Sequence, residues 1–272
     1  MPQPVTLGSG ARTPYTTASL INISAMSYGA ISRPAIVAMG AGAAQAGCWL
    51  NTGEGGLSPY HLASGADLVF QIGTAKNGVR DLRGNLCDTQ LRAVAAHPQV
   101  RMFEIKLSQG AKPGKGGILP GSKVTPEIAA IRGVPIGVDA ISPNRHLDVG
   151  NTEELLDLIH RVREVTGKPV GFKVVIGAYG WLDELCASGK LITPADVAWA
   201  LCIGADFVCS ARGFMFALGC IQALKCNKNT CPTGITTHNP KLQKALHPPT
   251  KAARVAAYVK NSITTTTHGD TA

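Results

Sequence analysis

Three cysteines late in the chain are the strongest chemical signal in the sequence. Cys220, Cys226 and Cys231 fall within twelve residues, in a stretch rich in Gly and Asn. Thiolates this close together can converge on one centre, and three of them suit an iron–sulfur cluster. Zinc would require a fourth ligand, for which His238 is the nearest candidate. The spacing alone is also compatible with three ordinary free cysteines.

Two glycine-rich loops could bring backbone close to a flat or anionic ligand. Residues 52–56 read Thr-Gly-Glu-Gly-Gly, and residues 109–121 hold five glycines together with Lys112 and Lys115. Neither loop has the spacing of a P-loop. No Gly-x-Gly-x-x-Gly closes a strand, so a nicotinamide dinucleotide site has no support.

Lys173 lies inside the apolar run 170–176. A lysine in a buried strand is costly unless its ammonium meets an anion or a cofactor. The pattern therefore favours a ligand-facing lysine at a strand end, with a lysine that reaches solvent as the alternative.

Other polar residues late in the chain could serve a phosphate or a proton. The segments 188–190 (Ser-Gly-Lys) and 210–213 (Ser-Ala-Arg-Gly) lie where a β/α barrel often forms a phosphate site, and simple helix capping explains them equally well. His146, close to Asp148, could offer acid–base function, although a lone His is more often structural.

The elements that must position these residues alternate between strands and helices. This alternation predicts a parallel α/β sheet, open or closed, with six or seven strands and no second domain. The sequence predicts strands at 20–24, 67–72, 101–106, 137–142, 170–176 and 205–209, and helices at 34–47, 87–96, 151–166 and 193–203.

Composition narrows the class of protein. Hydrophobic residues make up 45% of the 272 residues, enough for a large core, and a β/α barrel needs about 250 residues. The net charge of +9 is spread without a block of five basic residues, and aromatics are 5%, so nucleic-acid binding is a weak alternative. No apolar run reaches a membrane span of about 20 residues and no signal peptide is visible, so we expect a cytoplasmic protein.

Several motifs taken together resemble the FMN-binding synthase domain of the glutamate synthase family, in its short stand-alone bacterial or archaeal form. The resemblance covers residues 18–260. It is carried by residues 23–32 (ISAMSYGAIS), 51–56 (NTGEGG), 109–117 (QGAKPGKGG), 119–121 (LPG), 142–143 (SP) and 229–234 (NTCPTG), together with the three cysteines.

The resemblance implies a fold, cofactors and a reaction. The fold would be a β/α (TIM-type) barrel with FMN at its C-terminal face and a [3Fe–4S] cluster beside it. Members of the family reduce 2-iminoglutarate, formed from 2-oxoglutarate and ammonia, to L-glutamate, with electrons passing through the cluster to FMN.

The resemblance also implies residue roles. Glu54, Lys112 and Lys173 are the expected catalytic residues, and Lys112 would hold the 2-oxoglutarate carboxylates. The expected cofactor-binding residues are Ala25, Met26, Ser27, Thr52, Gln109 and Lys173 around the flavin ring, with Gly189, Ala211, Arg212 and Gly213 near the phosphate. Cys220, Cys226 and Cys231 would bind iron.

Two departures from the family affect this expectation. No glutaminase domain and no pyridine-nucleotide subunit is present, so a glutaminase subunit or free ammonia, and ferredoxin or a reductase subunit, would have to act in trans. After Cys186, several tens of residues that hold a strand and an FMN-contacting Gly-Gly-Thr-Gly loop are absent. An incomplete barrel follows, whose open strand edges favour a homo-oligomer. The alternative function is a catalytically impaired scaffold or redox partner.

The expected organisation has three parts. Residues 1–18 form an N-terminal arm, residues 19–262 form the barrel domain with an iron–sulfur segment at 219–234, and residues 263–272 form a disordered tail.

Overall fold

A parallel β-sheet covered by helices organises the molecule, as seen in a computed structural model of the chain. The structure describes residues 3–109, 116–174, 186–188 and 191–268. Seven strands of the described residues form the main sheet, and every neighbouring pair in it runs parallel. Two small antiparallel sheets accompany it.

Strands and helices follow one another along most of the described residues. The strands are β1 (Val5–Leu7), β2 (Tyr15–Thr17), β3 (Ile21–Ile23), β4 (Leu50–Asn51), β5 (Leu68–Ile72), β6 (Val100–Lys106), β7 (Gly117–Leu119), β8 (Ala140–Ser142), β9 (Val170–Lys173), β10 (Cys186–Ser188) and β11 (Phe207–Ser210). The helices are α1 (Arg33–Ala46), α2 (Pro59–Leu62), α3 (Asp88–Ala95), α4 (Pro126–Arg132), α5 (Thr152–Thr166), α6 (Pro194–Cys202), α7 (Arg212–Leu218), α8 (Pro240–Gln243) and α9 (Pro248–His268).

The strand order of the main sheet is that of an interrupted barrel. The order is β10-β11-β3-β4-β5-β6-β9, so the last strand of the chain lies beside the first strand of this sheet. First and last strands meet in the same way in a closed β/α barrel. The fold is therefore an incomplete TIM-type barrel, as the sequence predicts, and its opening among the described residues lies between β9 and β10.

One predicted strand belongs to a different sheet. Residues 137–142 were expected in the parallel sheet, but β8 pairs antiparallel with β7, with Ile118 opposite Ile141. The expectation was wrong because a short apolar run does not reveal which strand it pairs with.

Two apolar clusters fill the two faces of the sheet. Successive residues of β5 belong to different clusters, because side chains alternate across a strand: Leu68 and Phe70 pack with the helices, whereas Val69 does not. Val69 joins Leu7, Tyr15, Trp49, Phe207 and Cys209 in a second buried cluster inside the curved sheet.

The N-terminal arm contains regular structure. Val5–Leu7 pairs antiparallel with Tyr15–Thr17, where an irregular arm was expected from the sequence. Leu7 and Tyr15 are buried in the inner cluster, so this hairpin closes one end of the sheet's interior. Strands of three residues are too short for a period of two to be read from sequence.

The expected disordered tail is helical over most of its length. Helix α9 runs to His268, and Ile263 packs on the main core. The prediction of disorder from 263 was wrong up to His268, and the last four residues lie outside the described ranges. Neither α9 nor another helix of the described residues is long and apolar enough to cross a membrane.

Local side chains set the ends of the predicted helices. Ser32 Oγ accepts a hydrogen bond from the Ala35 N–H at the start of α1, and Gly47 ends that helix at a φ of 69°. Asn151 begins α5 in the same way, and Gly167 ends it at a φ of 71°. These caps satisfy helix-end groups that have no intrahelical partner, which explains why the predicted helix boundaries agree with the observed ones.

Candidate active site

A compact polar network lies at the C-terminal ends of the central strands. Lys106 Nζ lies 3.3 Å from Glu54 Oε2 and donates a hydrogen bond of 2.8 Å to Gln109 Oε1. Gln109 Nε2 donates to Glu54 Oε2 at 2.7 Å and to Thr74 Oγ1 at 3.3 Å. We refer to Glu54, Thr74, Lys106 and Gln109 as the strand-end cluster.

A polar layer beneath this cluster fixes the strands that carry it. Glu104 Oε1 accepts hydrogen bonds from Asn51 Nδ2, at 3.0 Å, and from Gln71 Nε2. The Gln71 N–H donates to Thr52 Oγ1 at 3.2 Å. Buried polar groups are stable only when they are paired, so these bonds hold β4, β5 and β6 in one arrangement.

Two glycines allow the loop that carries Glu54 to approach its neighbours. Gly53 has a φ of 65°, and a Cβ there would lie 2.6 Å from the Ser27 N atom. A Cβ on Gly73 would overlap the Cβ of Glu54. Only glycine fits both positions, so the glycine loop read from the sequence serves close packing around the site.

The segment 25–27 borders this loop, because a Cβ on Gly53 would meet the backbone of Met26 and Ser27. Ala25, Met26 and Ser27 lie one residue beyond β3 and are half-buried. Ser27 Oγ accepts a hydrogen bond of 3.3 Å from Arg132, which brings this segment and α4 together.

Arg132 is a site residue that sequence reasoning missed. Its side chain is buried, one nitrogen donates to the Tyr28 carbonyl at 3.0 Å, and its Nε has no partner. Burial lowers the pKa of Arg132 to about 10, and the carboxylate of Glu54 acts in the opposite direction. A buried guanidinium with an unpaired N–H is suited to bind a carboxylate.

Lys173 lies beside Lys106. The two lysines are partners in the register of β6 and β9, so their side chains leave the sheet on the same face. Lys173 is the last residue of its strand and is half-buried. The sequence pattern pointed to Lys173 and not to Lys106, although both end a strand in the same way.

Some of the remaining predicted site residues lie in the part of the chain that the structure describes, and others lie outside it. Ala211, Arg212 and Gly213 follow β11 at the C-terminal edge of the sheet, with Arg212 exposed and Gly213 buried. Lys112 and Gly189 lie outside the described residues.

His146 is close to an ion pair at the edge of this region, between a buried lysine and a half-exposed carboxylate. Its ring is 1% exposed and lies 3.8 Å from Asp148, which forms an ion pair of 2.9 Å with Lys76. Burial first, and then Lys76, lower the pKa of His146 and keep the ring neutral. Such deep burial favours the structural interpretation over acid–base catalysis.

The three cysteines line one cavity. Cys220, Cys226 and Cys231 all border one small pocket that is partly open to solvent. Across the residues that the structure describes, no three His, Cys, Asp or Glu side chains converge tightly enough for a single metal ion. His238, the possible fourth zinc ligand, instead bonds to the Gly29 carbonyl at 2.8 Å.

Residues of the cavity wall lower the pKa of one of the three thiols, that of Cys231. Burial raises the pKa of the Cys231 thiol, but hydrogen bonds from Thr233 and Thr236 hold it at about 7. The buried Lys123 Nζ donates to the Cys226 carbonyl at 3.1 Å and to the Ala30 carbonyl at 2.6 Å. Lys123 therefore connects the cysteine loop to the chain that follows Ala25–Ser27.

The family of the chain follows from comparison with known proteins. The family model described as the conserved region in glutamate synthase matches residues 7–180 and 183–268. The chain belongs to the glutamate synthase family. The model match is interrupted at residues 181–182, close to the discontinuity that the sequence places after Cys186.

Curated glutamate synthase relatives are longer than this chain. The glutamate synthase large subunit-like protein YerD of Bacillus subtilis is 39% identical over 90% of this chain and 58% of its own length. The archaeal glutamate synthase [NADPH] of Methanocaldococcus jannaschii is 33% identical over 88% of this chain and 56% of its own length. The chain thus spans about half the length of these relatives.

The comparison with YerD also indicates a gap within this chain. The alignment has 307 positions, whereas 90% of 272 residues is about 245, so about 60 positions of YerD have no counterpart in this chain. A block of this size agrees with the several tens of residues that are missing after Cys186.

Solved structures support the barrel fold. A lactate oxidase of Pediococcus acidilactici matches with a TM-score of 0.53 and 13% identity, over 93% of this chain and 72% of its own. A mandelate oxidase matches with a TM-score of 0.52 and 14% identity, over 97% of this chain and 79% of its own. At these identities the similarity concerns the fold alone.

Proposed function

We propose that the chain reduces 2-iminoglutarate, formed from 2-oxoglutarate and ammonia, to L-glutamate for glutamate biosynthesis. The observation that carries the proposal is that one family member holds two polar groups of residues. The strand-end cluster supplies polar groups for a substrate, and three cysteines line one cavity.

The residues present fit an FMN. The half-buried segment 25–27 offers backbone to a flat ring, and Gln109 offers an amide beside the lysines of β6 and β9. Ala211, Arg212 and Gly213 would hold the phosphate together with Gly189, and Thr52 would border the ring. A positive group next to the ring favours its reduced form, which is the role we assign to Lys173.

The lining of the cysteine cavity supports the proposal of a [3Fe–4S] cluster. The thiols of Cys220, Cys226 and Cys231 border one cavity, and no charged side chain of the chain is needed to complete a set of three thiolates. Three thiolates are the ligand set that such a cluster takes, and its irons are separate centres, so the thiols need not meet at one ion.

When bound, FMN supplies hydride to the substrate carbon, and the cluster supplies electrons to the flavin. The chain's own residues bind and orient the substrate. We assign the 2-oxoglutarate carboxylates to Arg132 and Lys112, because a guanidinium and an ammonium match their charge. Glu54, held at Oε2 by Lys106 and Gln109, would hold the proton exchanged with the substrate nitrogen at its other oxygen.

Two contributions must come from other molecules in this proposal. Ammonia comes from solution or from a glutaminase subunit, and electrons come from ferredoxin or a reductase subunit. A homo-oligomer that covers the open edges of β9 and β10 is part of the same proposal.

A second candidate function follows from the opening of the sheet. The strands β9 and β10 are both edges, and the family match breaks between them. A chain that lost part of its FMN site would remain as a scaffold or redox partner that keeps the iron–sulfur cluster.

An anaerobic assay tests the proposal directly. The reconstituted chain is supplied with 2-oxoglutarate, ammonium and reduced methyl viologen, and glutamate is measured. We expect glutamate from the wild type, little from Glu54→Gln, and a KM for 2-oxoglutarate raised on the order of tenfold or more in Arg132→Gln. A chain that binds iron but neither binds FMN nor forms glutamate supports the scaffold instead.

A further inference from the structure

We propose that Tyr28 and Glu127 are positioning residues, which hold the guanidinium of Arg132 where a dicarboxylate substrate binds. The inference rests on the proposed function, in which Arg132 takes a carboxylate of 2-oxoglutarate. It identifies two side chains outside the strand-end cluster on which recognition of that substrate depends.

Helix α4 is fastened to Tyr28 at two points. The Tyr28 hydroxyl donates a hydrogen bond of 2.6 Å to Glu127 Oε2, and Glu127 lies in the first turn of α4. Arg132 is the last residue of the same helix, and its Nη2 donates to the Tyr28 carbonyl at 3.0 Å. The two helix residues are separated by about 7.5 Å along the axis, at a rise of about 1.5 Å per residue. Tyr28 therefore fixes both ends of the helix that carries Arg132.

A second tyrosine completes the hydrogen bonding of the Glu127 carboxylate. The Tyr60 hydroxyl donates to Glu127 Oε1 at 2.6 Å, so each carboxylate oxygen accepts one phenol. Hydrogen bonds to a charged acceptor are shorter and stronger than neutral ones. Burial, and then the bond to Glu127, raise the pKa of Tyr28, so its hydroxyl remains a donor at neutral pH. The rings of Tyr28 and Tyr60 also pack edge to face, with centroids 5.3 Å apart.

Tyr28 is held firmly enough to serve as an anchor. Its side chain is buried, and the ring of His238 packs against it edge to face at 5.9 Å. His238 Nε2 in turn lies 2.8 Å from the carbonyl of Gly29, the next residue along the chain. Tyr28 also follows Ser27 directly, so the anchor is continuous with the segment proposed to border the flavin ring.

The guanidinium of Arg132 depends on this anchor for its place. Its Nη2 bonds to Ser27 Oγ and to the Tyr28 carbonyl, its Nε has no hydrogen-bond partner, and no ion pair among the described residues includes it. The backbone leaves room for it, because a Cβ would lie 2.9 Å from Nη2 if placed on Gly55 and 3.1 Å if placed on Gly29. Its positive charge is thus left for an anion, and hydrogen bonds rather than a carboxylate set its position.

Loss of the Tyr28 hydroxyl should loosen α4 without unfolding it. Thr125 Oγ1 still accepts from the Ile128 N–H at the start of the helix, and Ile128 and Ala129 remain buried in the core. The first turn of α4 would lose its bond to Tyr28, so the guanidinium at the other end would be held less precisely. Small errors in the placement of a binding group are costly, so substrate affinity should fall while the fold persists.

Binding of 2-oxoglutarate to the oxidised, reconstituted chain tests the inference apart from turnover. Isothermal titration calorimetry without a reductant gives Kd. We expect Kd to rise on the order of fivefold in Tyr28→Phe, which keeps the ring and removes only the hydroxyl. Glu127→Gln weakens the same contact and should raise Kd in the same direction. Tyr15→Phe removes the hydroxyl of another buried tyrosine, one that lies beside Asp67, and should bind like the wild type.

A double substitution distinguishes positioning from a general loss of stability. If Tyr28 acts through Arg132, Tyr28→Phe should change Kd no further once Arg132→Gln is present. Independent, multiplicative effects of the two substitutions on Kd would overturn the inference, as would an unchanged Kd in both Tyr28→Phe and Glu127→Gln. Absence of 2-oxoglutarate binding by the wild type would instead contradict the proposed function, and the inference with it.

Discussion

The strand-end cluster and the cysteine segment (residues 219–234) differ in whether their charges are paired within the chain. In the strand-end cluster, Glu54 is paired with Lys106 within the chain, and the polar layer beneath it is hydrogen-bonded. In the cysteine segment, cations face solvent without carboxylates, and Leu224 is exposed in a left-handed conformation. The charges of the first region are paired within the chain, whereas we propose that a cluster completes the second.

Substitution of a cysteine in the cavity should have the largest effect, with iron lost from one region and FMN kept in the other. Cys226→Ser should lose nearly all bound iron, because a [3Fe–4S] cluster needs all three thiolates, and should keep its FMN. Iron analysis and electron paramagnetic resonance of the reconstituted protein measure the bound iron, and flavin absorbance measures the bound FMN. Cys202→Ser, at another exposed cysteine, is the control. Iron retained in Cys226→Ser would refute the assignment of the cavity.

Substitution of Lys106 should have the opposite effect, with activity lost and iron content unchanged. Lys106→Met leaves the carboxylate of Glu54 without its ion-pair partner, and we expect kcat/KM for glutamate formation to fall about a hundredfold, with iron content unchanged. Steady-state kinetics with iron analysis measure both effects. The exposed Lys260→Met serves as the control. Iron loss in Lys106→Met would show that the two regions are not independent.

Lys123 is buried beside the cysteine segment, so its substitution should have a moderate effect on that region. Lys123→Met removes a buried positive charge beside the cysteine cavity, and this loss favours the oxidised cluster. The midpoint potential should fall on the order of tens of millivolts in a redox titration followed by electron paramagnetic resonance. Lys123→Arg keeps the charge and should preserve the potential. An unchanged potential in Lys123→Met would mean that the Lys123 charge does not reach a cluster in the cysteine cavity.

Relief of backbone strain should have the smallest effect. Leu224→Gly removes a left-handed leucine that buries little surface, so the free energy of unfolding should rise by about 0.5–1 kcal/mol. Chemical denaturation measures this change. A lower free energy of unfolding would show that Leu224 has a packing role in the free chain.

The sequence predicted most successfully what depends on near neighbours in the chain. The predicted helices at 34–47 and 151–166 agree with α1 and α5 to within one residue, and the three cysteines lie close together in the sequence. Interruption of the barrel was also predictable, because a missing block changes the strand count.

Residues brought together over long sequence distances were not predictable. Arg132 meets Ser27 across more than one hundred residues, and Lys123 meets Cys226 across a similar span. The basic residues of 207–269 looked like scattered charge in the sequence. What sets this segment apart is that it contains no Asp or Glu between them. These residues became visible only when the fold placed them beside groups that carry a local motif.

Cofactor content of the purified, reconstituted chain tests the central claim most directly. The claim is that both regions bind their cofactors despite the opening between β9 and β10. It predicts one FMN per chain together with the iron of one [3Fe–4S] cluster, measured by flavin extraction and iron analysis on the same sample. A chain that takes up iron but no FMN would contradict the account of the strand-end cluster and leave the scaffold function in its place.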